Sequence, residues 1–163
     1  MNDQSPNSKS VLFVCLGNIC RSPTGEGVLR HLVNEQDCED RIAIDSAGTG
    51  GYHVGARADS RMREHALRRG YDLQSRARKL SSADMEDFDL VIAMDRENFQ
   101  NIERIHDQPT ATLKMLSDFL ADDWPHDVPD PYYGGADGFE YVLDMIEAAC
   151  PKILEYLLDG EIP

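Results

Sequence analysis

The chain has 163 residues, a formal net charge of −14 and 41% hydrophobic residues. That length supports one domain with its own core, and that apolar content excludes a disordered chain. The acidic balance argues against nucleic acid and anionic membranes as partners, so an anionic ligand needs a locally positive pocket.

The opening stretch "MNDQSPNSKS" has no apolar core of a secretory signal. No run approaches the roughly 20 apolar residues of a membrane span. Residues 1–9 read as a flexible tail and residues 10–160 as the domain. A cytoplasmic setting is expected, with no membrane insertion. The cysteines Cys15, Cys20, Cys38 and Cys150 are then expected as free thiols. They form no C-x-x-C pair, and the five histidines show no ligand spacing to them, so neither a metal nor a cofactor is expected.

In chain order, "SVLFVC" (10–15) suits a buried central strand. "SPTGEGVLRHLVNEQ" (22–36) predicts a helix with Ser22 as N-cap and Pro23 at the first helical position. "RIAIDSAG" (41–48) is a second strand, and "DSRMREHALRRGY" (59–71) a helix stopped by Gly70. The acidic "SADMEDFD" (82–89) reads as a solvated helix start. "FDLVIAM" (88–94) predicts a third strand, "DRENFQNIERI" (95–105) a helix and "ATLKML" (111–116) a fourth strand. A Pro/Gly loop follows over 126–138. The last segment, 139–160, is a helix, and Pro151 inside it predicts a kink or break near Cys150, since an interior proline costs about 3 kcal/mol. Strands alternating with helices give an α/β fold: one three-layer domain, a four-stranded parallel sheet flanked by helices, and a phosphate-binding loop after the first strand.

That loop is "CLGNICRSP". It joins a strand end to a helix start, which presents backbone N–H groups as an anion site. Gly17 and Asn18 both tolerate left-handed backbone angles and would curl it inward. Arg21 can grip two phosphate oxygens with its planar fork. Cys15 then lies on the floor of a positive cradle that favours thiolate, and Ser22 can donate a hydrogen bond to it. The product is a nucleophile beneath a bound phosphate. A leaving group also needs a proton. Asp130 in "VPDPYYGG" is the candidate acid, because Pro129 and Pro131 stiffen its backbone. Tyr132 and Tyr133 can form aromatic walls. The five histidines, His53 included, read as surface or structural residues.

"VCLGNICRSP" and "DPYYGG" together resemble the low-molecular-weight protein tyrosine phosphatase family, in a bacterial-type member. "DSAGTGGYHVGARADSR" (45–61) and "FDLVIAMDRENFQNI" (88–102) resemble it as well, and the likeness runs over about residues 10 to 158. It implies Cys15 as nucleophile, Arg21 as phosphate ligand and Asp130 as general acid and base. Leu16, Gly17, Asn18, Ile19, Cys20 and Ser22 would form the phosphate loop. Ser46 and Asn18 would hold its shape. Leu16, Tyr52, Tyr132 and Tyr133 would line the phosphotyrosine slot, and Cys20 would trap oxidised Cys15 as a reversible disulfide. The implied partner is a tyrosine-phosphorylated protein, with a bacterial tyrosine kinase as the analogue, and the implied state is a monomer or weak dimer. Ser75 stands where the family often has a histidine, so the Asn–Ser network is expected to be weaker or completed differently. Thr24 and Gly25 replace a more helix-favouring pair.

Related arsenate reductases need further redox cysteines in the middle of the chain, and residues 39–149 hold none. Related arginine phosphatases carry a threonine at the Ile19 position, whereas Ile19 suits an aromatic ring. A non-catalytic phosphate-binding module would have lost the nucleophile or the acid, and both are present.

Overall fold

The structure is a computed structural model that describes residues 8–160. Its first strand, β1 (Lys9–Cys15), is buried from Val11 onwards. Alternation along the strand divides the core in two. Val11, Phe13 and Cys15 face one cluster, and Leu12 and Val14 face the other. β1 begins at Lys9, which pairs with Ile42, so the ordered sheet reaches into the expected tail. Residues 1–7 of that tail lie outside the described residues.

The remaining elements follow as α1 (Arg21–Glu35), β2 (Ile42–Gly48), α2 (Ser60–Arg68), α3 (Asp84–Asp87), β3 (Leu90–Ala93), α4 (Arg96–Glu103), β4 (Thr112–Met115) and α5 (Ala136–Asp159). Two short 3-10 turns lie at Glu39–Arg41 and Leu116–Phe119. The strands form one parallel sheet in the order β2-β1-β3-β4. Helices α1, α2 and α5 cover one face with Leu29, Met62, Phe139 and Ile146. The other face is closed by Met85 of α3, Ile102 of α4 and Phe99. This is the expected three-layer α/β architecture. The register aligns Cys15 with Gly48 and Ala93 with Met115, so the carboxyl ends of the strands form one edge. Ligands of parallel sheets bind at that edge.

Several local readings change. Helix α1 starts at Arg21 with Cys20 at its N-cap and no side-chain cap, so Ser22 is not the cap. Its hydroxyl is turned into the loop instead. Asp59 caps α2 by accepting from the N–H groups of Arg61 and Met62. Gly70, at φ +91, ends that turn as expected. α5 begins at Ala136 and continues through Pro151 without a break. Pro151 is exposed, so the carbonyl that it leaves unpaired can be hydrated. Within the stretch expected to be solvated, Asp84 is buried and its carboxylate accepts from Arg78 at 3.0 and 3.1 Å. No helix among the described residues is long and apolar enough to cross a membrane.

Gly25 has a packing reason. A Cβ there would stand 2.6 Å from the ring of Phe13, which is fully buried. The glycine therefore sets how closely α1 lies on β1. Alanine would gain about 1 kcal/mol of helix propensity, and overpacking would cost about 1–3 kcal/mol. Gly25→Ala is expected to lower the midpoint of urea denaturation. A raised midpoint would show that Phe13 gives way freely.

Candidate active site

The loop between β1 and α1 is tied to the sheet at its first residues. Thr49 N–H donates to the Cys15 carbonyl and Gly50 N–H to the Leu16 carbonyl, both at 2.9 Å. Asn18 then takes a left-handed conformation, φ +57, which turns the chain back over Cys15. Gly17 does not take a positive φ. A Cβ there would lie 3.1 Å from the His53 ring, so a larger residue would push on that ring.

The polar groups behind the loop have a fixed donor order. Glu26 is a buried carboxylate and accepts from Ser46 Oγ at 2.6 Å. Having donated its proton there, Ser46 Oγ accepts from Asn18 Nδ2 at 3.0 Å. Arg78 N–H donates to Asn18 Oδ1 at 3.0 Å, which fixes the amide orientation. The second Nδ2 hydrogen goes to Ser22 Oγ at 2.7 Å. The Ser22 proton is left with two acceptors, Cys15 Sγ at 3.0 Å and the Ala47 carbonyl at 3.4 Å. A thiolate at Cys15 is the stronger acceptor. The chain Glu26–Ser46–Asn18–Ser22 thus aims a donor at the sulfur.

Arg21 is buried beneath the loop. Its Nη1 donates to Asp95 Oδ2 at 2.6 Å and to the Val128 carbonyl at 3.1 Å, and Nη2 lies 3.6 Å from Asp130 Oδ2. Burial opposes its charge, but the facing Cys15, Asp95 and Asp130 outweigh burial and hold the proton more tightly. Asp95 also caps α4 through the Asn98 N–H at 2.7 Å. One edge of the guanidinium is therefore held by the protein, and the other faces the pocket. No side chain caps α1. Its first-turn N–H groups remain available to an anion.

Asp130 lies across this pocket on the loop that precedes α5. Val128 N–H donates to the Met94 carbonyl at 2.9 Å, and Arg96 pairs with Asp127 at 3.0 Å. On the far side Arg61 donates to the Tyr132 carbonyl at 3.0 Å and lies 5.4 Å over the Tyr132 ring. Three tethers thus hold the candidate acid opposite the candidate nucleophile. The cavity measures about 390 Å³. Cys15 and Arg21 form its floor, and Leu16, Ile19, Tyr52, Tyr132 and Tyr133 its apolar walls. All of the residues expected to line the slot meet here. Asn18, Ser22 and Ser46 stand behind it, and Cys20 opens onto it.

Some residues were not anticipated. His53 lines the cavity beside Gly17 and Tyr132, so it is neither a remote surface residue nor a structural one. Its place beside Tyr52 in the sequence was the available signal. Arg61 and Asp95 lie in the family-like blocks without a role read for them, Glu26 and Arg78 were given no role, and folding assembles all four. Ser75 does not join the network. It lines a separate surface cleft of about 250 Å³ with Glu26, Arg30 and Tyr71, and Glu26 accepts from Ser46 at the end of the network. Burial and the nearby Asp59, Cys15 and Asp130 push the Cys20 thiol up, so it stays protonated at neutral pH. Cys38 and Cys150 are buried elsewhere, and all four thiols are free. No cluster of three or more His, Cys, Asp or Glu able to hold a metal occurs among the described residues.

The family model described as low molecular weight phosphotyrosine protein phosphatase matches residues 10–161. The low molecular weight protein-tyrosine-phosphatase YfkJ of Bacillus subtilis is 42% identical over 147 residues, which is 89% of this chain and 93% of that protein. A crystal structure of the protein tyrosine phosphatase from Entamoeba histolytica superposes with a TM-score of 0.89 at 41% identity, covering 94% of this chain and 99% of that one. The structure of a Drosophila arginine phosphatase superposes at 0.84 with 31% identity, covering 90% of this chain and 96% of that one.

The donor order makes Glu26 a positioning residue. Glu26→Leu removes the acceptor that directs Ser46. Alkylation of Cys15 by iodoacetamide at neutral pH is then expected to slow about 3- to 10-fold, the worth of one hydrogen bond. Peptide mapping measures it, and an unchanged rate would mean that the order is set without Glu26.

Proposed function

The chain belongs to the low molecular weight phosphotyrosine protein phosphatase family, and we propose that Cys15, Arg21 and Asp130 carry its reaction. The family acts on phosphorylated proteins, and the reaction is hydrolysis of a phosphotyrosine monoester. The observation that carries the assignment is the meeting of Cys15, the inner edge of Arg21 and Asp130 in one aromatic-walled cavity.

Phosphate enters with its oxygens on the loop N–H groups and on Arg21. Cys15 Sγ attacks phosphorus opposite the phenolic oxygen. The S–P bond forms as the P–O bond breaks, and Asp130 gives its proton to the leaving phenolate. Arg21 and the N–H groups stabilise the charge on the equatorial oxygens. Asp130, now ionised, takes a proton from water. That water attacks phosphorus, the S–P bond breaks, and inorganic phosphate leaves with Cys15 again a thiolate held by Ser22.

The walls favour a ring over a guanidinium. Ile19 is 8% exposed and lines the slot with Tyr52 and Tyr132. A phosphoarginine head needs polar partners there, and an apolar wall leaves its N–H groups unsatisfied. The same reading extends to reversible oxidation. A Cys15 sulfenic acid condenses with the Cys20 thiol, releasing water and forming a disulfide that an external thiol reduces. We extend it further to a tyrosine kinase as substrate protein and to a cytoplasmic monomer or weak dimer, by analogy with bacterial members of the family.

Cys15→Ser is expected to abolish turnover of p-nitrophenyl phosphate, and surviving activity would sink the mechanism. Asp130→Ala is expected to slow phenyl phosphate about 10²- to 10⁴-fold and p-nitrophenyl phosphate much less, because only the poor leaving group needs the proton. Equal slowing would remove Asp130 as the acid. After peroxide treatment, dithiothreitol is expected to restore the wild type but not Cys20→Ser, with activity recovery as the measure. Comparable phosphotyrosine and phosphoarginine peptides separate the two substrate readings by kcat/KM.

A further inference from the structure

Beside the catalytic cavity runs a second groove of about 300 Å³. Leu16 and Tyr52 line both, so they form the ridge between them. The Tyr52 ring lies against the backbone of Gly50, where a Cβ would stand 2.3 Å from Cε2. The groove is also anchored to the nucleophile, because Thr49 and Gly50 line it and their N–H groups hold the Cys15 and Leu16 carbonyls.

The charge of this groove runs against that of the chain. The sequence carries 30 acidic and 16 basic residues, yet Lys79 and Arg104 line the groove and no carboxylate does. Among the described residues Lys79 and Arg104 form no ion pair, and Arg104 Nη1 donates only to Asn101 Oδ1 at 3.1 Å. Other cations among them, such as Arg57 and Arg76, also lack an ion pair; what sets this groove apart is two cations in one lining that no carboxylate shares. The base of Lys79 is fixed, since Gly48 N–H donates to the Arg78 carbonyl at 2.9 Å and Leu80 N–H to the Gly48 carbonyl at 2.7 Å. Thr49 Oγ1, in the same lining, is buried without a hydrogen-bond partner.

We propose that this groove is a subsite for an anionic side chain flanking the phosphotyrosine of the substrate protein, recognised by Lys79 and Arg104. The inference rests on the reading of the Cys15 cavity as the phosphotyrosine site. An extended peptide advances about 3.3 Å per residue, and the two grooves share Leu16 and Tyr52 as walls, so the anion lies within about three residues of the phosphotyrosine. A carboxylate and a second phosphotyrosine share the chemistry that the two cations would receive. Each exposed cation contributes about 2- to 5-fold to kcat/KM, the range of surface ion pairs.

The test measures kcat/KM on phosphotyrosine peptides whose flanks are neutral, carry glutamate scanned over three positions on each side, or carry a second phosphotyrosine. At low salt the wild type is expected to prefer at least one anionic series over the neutral one by about 4- to 10-fold. Preference for glutamate alone assigns a carboxylate subsite, and preference for the second phosphotyrosine alone a phosphate subsite. K79A/R104A is expected to lose the preference, with p-nitrophenyl phosphate and the neutral peptide changed less than about 2-fold. K79E is expected to turn the preference toward lysine flanks. Equal kcat/KM across flanks in the wild type, or a preference that survives in the double variant, overturns the subsite. Failure of the wild type to hydrolyse any phosphotyrosine peptide would instead overturn the reading of the catalytic cavity.

Discussion

The side-chain amide of Asn18 ties together three separate segments around the cavity. Its two N–H bonds reach Ser22 in α1 and Ser46 in β2, and its oxygen accepts from Arg78. The residue holds a left-handed backbone angle to do so. Such a conformation costs on the order of 1 kcal/mol in a non-glycine residue, less for asparagine than for most. Three directed bonds in a buried setting offset it. Without them the loop would have no reason to fold back over Cys15.

The network is buried, so its hydrogens have few alternatives. Glu26 can only accept, and that single fact propagates through Ser46 and Asn18 to the Ser22 hydroxyl. A hydroxyl in water would rotate among partners. Here each rotor is set by its neighbour, and the last one points at the sulfur that must bear charge. Preorganisation of this kind avoids rearranging dipoles during the reaction.

Electrostatics supply the complementary constraint. A strongly acidic chain repels the anion that its cavity is built to take, so the positive charge must be local and buried. Arg21 meets that need, and Asp95 holds its outer edge while the inner edge stays open. A buried ion pair of this type contributes little net stability. Its value is to fix a guanidinium that would otherwise sample many rotamers. Beside the cavity, Lys79 and Arg104 share one groove that no carboxylate lines.

The sequence by itself determined the alternation of strands and helices, the strand-end loop with Cys15, Arg21 and Ser22, and the acid candidate Asp130 between two prolines. These are legible because they depend on short-range chemistry: apolar periodicity, turn residues and a nucleophile beside a helix start within eight positions. It misplaced Ser22 as a cap, because a helix-start signal cannot show that a hydroxyl has a buried partner. It predicted a kink or a break at Pro151, and the helix runs through that residue without a break. Only the tertiary structure decided that Glu26, Asp95, Arg61, Arg78 and His53 belong to the site. Their contacts, such as Glu26 with Ser46 across 20 positions and Asp95 with Arg21 across 74, form only once the parallel sheet has brought the strand ends to one edge. Such long-range pairings leave no periodic trace, since each partner is chosen by its position in space rather than by its neighbours in sequence.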